Sequence, residues 1–103
     1  MQHESYQNEI KAKGLTAPRL TPERIDAAIR SEYFHVVPES CMTICVLTLQ
    51  NGFAVVGESA CASPQNFNEE IGRRIARDRA KEKIWPLEGY LLREALHRAE
   101  QSA

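Results

Sequence analysis

Apolar residues recur along this chain in two rhythms, and the stretch from Phe67 to Ile84 carries the clearest helical one. Phe67, Ile71 and Ile75 stand four apart. Gly72, Ala76 and Ala80 make a second row at the same spacing, turned about 100° around a helix axis. The pattern predicts one long helix over 67–84 with a bulky row and a small row. Two such rows imply two different neighbours, the small one admitting a second backbone at close range. Asn66, with Glu69 three residues on, reads as a capping-box start. Pro86 predicts a kink or break at Trp85–Pro86. Beyond it Leu87, Leu91 and Ala95, beside Leu92, Leu96 and Ala99, resume the helical period to about residue 100.

The other rhythm is extended. Residues 42–59 hold two β-rich runs joined by Asn51-Gly52, which predicts a hairpin on a two-residue type I′ turn. In that register Leu49 faces Ala54, Leu47 faces Val56 and Cys45 faces Glu58. Both faces are then largely apolar, which calls for a cover on each side: a helix, a ligand or another subunit. Two strands are marginal alone, so further pairing is expected, with the Val36 region or across a subunit boundary. Upstream, Thr21-Pro22-Glu23 is a strong helix start, with Ile25, Ala28 and Ile29 as its buried stripe to about Glu32. Tyr33 to Val37 read as extended. Residues 1–20 are weakly patterned, interrupted by Gly14 and Pro18, and are expected to form a flexible arm. The expected fold is a single α+β domain over 21–100: an N-terminal helix, an antiparallel hairpin sheet and a long kinked C-terminal helix, in an oligomer-forming chain.

Composition excludes several function classes. At 103 residues, 43% hydrophobic, 26% charged and a net charge of −1, the chain suits one globular domain and disfavours a general nucleic-acid coat. No membrane span or signal-peptide pattern is present in the sequence, so it is expected to stay where it is made. Three cysteines, Cys41, Cys45 and Cys61, read as reduced core thiols. A zinc site from these three and His35 has poor spacing, since Cys41 and Cys45 lie about 13 Å apart on an extended strand. No catalytic constellation is legible: the three histidines are scattered, and a carboxylate beside Cys45 would raise its pKa, the wrong direction for a nucleophile. The reading is of a non-enzyme with no cofactor and no metal.

Arg73, Arg77 and Lys81 form one row of the long helix, a candidate grip for phosphate, with Phe53 or Trp85 able to stack a base. The bland alternative is a solvated helix face, because acidic residues are interleaved at i, i+4 spacing.

The run TLQNGFAVVGESACASPQNFNEEIGRRIARDRAKEKIWPLEGYLL resembles a family of small tailed-phage proteins that share an LxNGF hairpin, a GxSAC strand end, an NFxxxIG helix start and a WxLEGYxL tail. The likeness spans residues 25–92. That family includes anti-defence proteins that neutralise Thoeris immunity by sequestering the cyclic ADP-ribose isomer made by its TIR enzyme, and some relatives hold cyclic oligonucleotides. The resemblance implies a phage accessory protein in the host cytoplasm that binds a cyclic nucleotide between subunits of a homo-oligomer, without cleaving it. It further implies Arg73 and Arg77 on pyrophosphate with Lys83 as a second candidate, and Phe53, Asn66 or Phe67 on base or ribose. The alternative is a phage protein that binds a host protein or nucleic acid through its basic helix.

Overall fold

The computed structural model describes residues 2–15 and 17–102, with side chains from residue 5 onward. In chain order it comprises α1 (Gln2–Ala12), α2 (Pro22–Ala27), β1 (Ile29–Val36), β2 (Met42–Leu49), β3 (Ala54–Ala60), a 3-10 turn (Pro64–Asn66), α3 (Glu69–Glu82) and α4 (Ile84–Ser102). The three strands form one antiparallel sheet in the order β1-β2-β3. The mixed α+β class and the sequence of elements agree with the sequence reading.

The N-terminal segment expected to be a flexible arm carries α1, closed by Gly14 at φ 69, with Gly14 N–H on Lys11 O and Leu15 N–H on Ile10 O. This left-handed exit suits glycine. The Gln7 amide donates to Leu20 O and accepts from Arg19, which tethers α1 to the chain ahead of α2.

Three local expectations are corrected. The helix after Thr21 ends at Ala27, five residues before the expected Glu32, and β1 begins at Ile29. Sheet pairing overrides helical periodicity there: Ile29 pairs with Leu49, and Gln50 N–H reaches Ala28 O. The second correction is the hairpin register, which is shifted by one residue, with Leu47 opposite Val55 and Cys45 opposite Gly57. Within the loop Gly52 alone has positive φ (91°), Gly52 N–H bonds to Leu49 O, and Leu49 N–H bonds to Phe53 O. The loop is thus the three-residue form with glycine in the left-handed position, rather than a type I′ turn. A one-residue slip moves every β3 side chain to the opposite face. Val55, Gly57 and Ser59 therefore join Thr43, Cys45, Leu47 and Leu49 on the buried side.

The third correction concerns the long helix. Its cap is Asn68, whose Oδ1 accepts from Ile71 N–H at 3.0 Å, while Asn66 closes the 3-10 turn. The break falls at Lys83, between α3 and α4, two residues before the expected position. Pro86 sits in the first turn of α4, where its missing N–H leaves no helical bond unmade.

α3 lies on the buried face of the sheet. Its small row is what lets it do so: a Cβ on Gly57 would come within 2.2 Å of Ala76 O and 2.3 Å of Ala80 N. The row of Gly72, Ala76 and Ala80 thus packs on the chain's own sheet and needs no second subunit. Ile25, Cys45, Leu47, Leu49, Val55, Ala76, Ala80 and Ile84 form the core. The bulky row stays open, with Ile71 and Ile75 exposed. The other face of the sheet, with Tyr33, Ile44, Val46 and Val56, is uncovered, Tyr33 being 61% exposed. The radius of gyration is 17.0 Å, against about 13 Å for a compact domain of this length. Elongation comes partly from α4, whose residues after 92 are mostly exposed.

Candidate functional site

The hairpin tip, the end of α2 and the first turns of α4 enclose an open cavity of about 650 Å³. Its walls are apolar where Ala27, Ala28, Leu49, Leu87 and Leu91 contribute, and Phe53 and Tyr90 stand on its rim, 56% and 72% exposed. Arg24, Gln50, Asn51 and Glu88 supply the polar groups. The Gln50 amide donates to Ala27 O and Ile29 O, pinning the hairpin tip to the α2–β1 corner. Asn51 Oδ1 accepts from Phe53 N–H and shapes the turn that presents the ring. Arg24 Nε donates to Glu88 Oε1 at 3.1 Å across the cavity wall, with Glu88 only 15% exposed. An apolar hollow with a few convergent polar groups and exposed rings suits a flat, polar-edged ligand.

A second, smaller hollow of about 70 Å³ lies at the opposite end of the hairpin, where Cys41, Ser59 and Cys61 meet Asn66, Phe67, Ile71 and Gly72. Ser59 Oγ donates to Gly72 O at 2.7 Å, and the neighbouring buried Thr43 Oγ1 has no hydrogen-bond partner among the described residues. This end joins strand to helix.

The sequence-based site residues are therefore divided. Phe53 is at the large cavity, while Asn66 and Phe67 are at the small hollow, the length of β3 away, about 23 Å for seven extended residues. Arg73 and Arg77 lie on α3, each held by a carboxylate at 2.7 Å: Arg73 by Glu69, Arg77 by Glu32 of β1. Lys81 pairs with Asp26 of α2, also at 2.7 Å. The basic row is thus an ion-pair ladder that ties α3 to β1 and α2. The hydrogen bond from Arg77 to Glu32 raises the Arg77 pKa, with burial opposing, so the guanidinium stays charged. Lys83, the C-cap of α3, enters no ion pair among the described residues.

Cys45 is buried opposite Gly57, so Glu58 does not adjoin it as expected; Glu58 pairs with Ile44. The Cys45 thiol is pushed up first by burial and then by Glu32. Among the described residues, no group of three or more His, Cys, Asp or Glu side chains is placed to hold a metal, and no helix is long and apolar enough to cross a membrane.

Arg24, Gln50, Glu88 and Tyr90 were not singled out as site residues by sequence reasoning. The signal was partly there: Leu49, Asn51 and Phe53 belong to LxNGF, and Leu87, Glu88 and Tyr90 to WxLEGYxL, and both stretches line the same cavity. The GxSAC and NFxxxIG stretches converge on the small hollow in the same way.

No curated protein and no solved structure matches this chain. Residues 20–96, about three quarters of the chain, match the phage protein (N4 Gp49/phage Sf6 gene 66) family, and the chain belongs to that family.

Proposed function

We propose that this phage protein sequesters a cyclic nucleotide immune signal, a cyclic ADP-ribose isomer or a cyclic oligonucleotide, in the host cytoplasm and releases it unchanged. The observation that carries the reading is the meeting of the LxNGF and WxLEGYxL stretches, remote in sequence, on one ligand-sized cavity rimmed by two exposed rings. Phe53 and Tyr90 stack on a base, Gln50 and Asn51 face its polar edge, and Arg24 exchanges Glu88 for a phosphate oxygen. Asn66 and Phe67 lie at the far end of the hairpin and can join the same ligand only from another subunit, whereas Arg73 and Arg77 are engaged by Glu69 and Glu32 and Lys83 stands four residues before Leu87 of the cavity wall. A homo-oligomer follows from this reading. The open sheet face and the large radius of gyration support it.

The test is thermal melting with a panel of cyclic ADP-ribose isomers and cyclic dinucleotides. A ligand at about 100 times its dissociation constant adds roughly 2.7 kcal/mol, a rise of several degrees or more. Phe53→Ala and Tyr90→Ala, both at exposed rings, keep the unliganded melting point and lose the rise. Ligand recovered intact after heat denaturation separates a sponge from an enzyme. No rise with any compound refutes the reading and favours a host protein docked on the open sheet face around Tyr33 and Val56.

A further inference from the structure

Cys41 and Cys61 lie at the base of the hairpin, one step beyond the last registered β2–β3 pair, Met42 with Ala60. They are thus opposite one another across the ladder. Leu49 N–H donates to Phe53 O at the loop end of the ladder, and along the register from Thr48–Ala54 to Met42–Ala60 the alternation returns to that hydrogen-bonded class eight residues on. Such pairs hold their Cα atoms about 5.5 Å apart, inside the range a disulfide spans. Parity with Thr43 and Ser59 puts both thiols on the side of the sheet that carries α3, and both line the small hollow. Both are free and partly exposed, so a small reagent reaches them. The remaining thiol, Cys45, is fully buried and lies four residues along β2, about 13 Å from Cys41.

We propose that Cys41 and Cys61 are a dithiol oxidation site, which closes an intramolecular cross-strand disulfide and clamps the base of the hairpin beneath the start of α3. The oxidant class is a low-molecular-weight disulfide such as glutathione disulfide. One protein thiolate attacks it, forming a mixed disulfide and releasing one glutathione thiol. The second cysteine then attacks the protein sulfur and releases the other. Two protein thiols give up two protons and two electrons, and one glutathione disulfide becomes two glutathione molecules.

The Cys41 thiol is raised above its ordinary value, first by its hydrogen bond to Cys61, so attack by Cys41 is slow near neutrality and quickens as pH rises. Closure also removes the contact from Cys61 Sγ to Ser63 O, at the entrance to the 3-10 turn. The clamped segment contains the whole hairpin, so the unfolded chain loses freedom and the melting point rises. None of this depends on the ligand cavity at the other end of the sheet.

The experiment incubates the full chain with glutathione disulfide or with reduced glutathione and counts free thiols after denaturation. The expected count falls from three to one, with the mass lower by two hydrogens. Cleavage after glutamate without reduction leaves the fragment 40–58 joined to 59–69. Cys45→Ala keeps that link and Cys61→Ser loses it. The oxidised wild type melts several degrees higher. Three free thiols after incubation, glutathione adducts without closure, a link that needs Cys45, or a disulfide-bonded dimer would each overturn the proposal.

Discussion

Gly57→Ala is the sharpest probe of how α3 sits on the sheet. An added Cβ would fall 2.2 Å from Ala76 O, 2.3 Å from Ala80 N and 2.9 Å from Ala80 Cα, where ordinary contact begins near 3.4 Å. All three atoms belong to helix backbone, so no side chain can swing aside. The helix must lift by about 1 Å, which strips dispersion contacts from the Ala76–Ala80 row against Leu47 and Val55. Overpacking by one methylene costs typically 1–3 kcal/mol where side chains adjust, so a backbone clash belongs at about 3 kcal/mol or above. For a chain of this length that lowers the melting point by roughly 12 °C or more, a large share of a domain's total stability. Gly72→Ala is the control. Its Cβ would meet Thr43 Oγ1 at 2.9 Å, a hydroxyl with no hydrogen-bond partner among the described residues, and the helix gains about 1 kcal/mol of propensity. Urea unfolding followed by circular dichroism should show Gly72→Ala within about 1 kcal/mol of wild type and Gly57→Ala far below it. Equal stability of Gly57→Ala and wild type would refute the close approach of helix and strand.

Two further outcomes follow from single contacts. Asn68→Ala removes the side-chain cap of α3 and should cost about 1 kcal/mol in urea unfolding, whereas Asn66→Ala, outside the helix, should cost little of that kind; the reverse order would restore the cap to Asn66. Cys45 is buried as a thiol with its pKa raised, so its contribution is fully present below the unfolded value, near 9, and is lost as pH rises through the folded value. Melting curves from pH 7 to 10 should therefore fall less steeply at the alkaline end for Cys45→Ala than for wild type; parallel profiles would show that the thiol stays protonated in both states or titrates alike.

Fold class was legible because it rests on periodicity and punctuation. The Thr21-Pro22 cap, the Asn51-Gly52 loop and the four-residue rows of α3 each say in a few letters what the backbone does. Register was not legible, because Asn-Gly serves both a two-residue turn and the three-residue form, and only the backbone at Asn51 distinguishes them. That one-residue ambiguity misassigned Val55 and Val56 and placed Glu58 beside Cys45. β1 was under-read because Ile25, Ala28 and Ile29 fit a helical stripe, while the pairing that claims Ile29 comes from Leu49, twenty residues away. The large cavity was hidden for a related reason: Arg24, Gln50 and Tyr90 come from three elements, and no spacing within the chain announces that they meet.

The basic row of α3 shows where a sequence pattern and a site part company. Four-residue spacing put Arg73, Arg77 and Lys81 on one line, and they are on one line, yet each carboxylate that meets them comes from a different element: α3 itself, β1 and α2. The Arg73–Glu69 and Arg77–Glu32 pairs, with every partner a third or more exposed, contribute about 1 kcal/mol or less apiece, so they orient α3 more than they hold it down. An anion arriving on that row must displace a carboxylate already at 2.7 Å, and the displaced Glu69, Glu32 or Asp26 would remain close by as a like charge. At the hairpin tip the same exchange involves one pair, Arg24 with Glu88, at the longer distance of 3.1 Å and beside two exposed rings that can share the ligand. Stacking surface, room and a single cation to be won coincide there, whereas α3 offers cations without a cavity. The charge row was the louder signal in the sequence, and the proposed function rests instead on the tip of the hairpin.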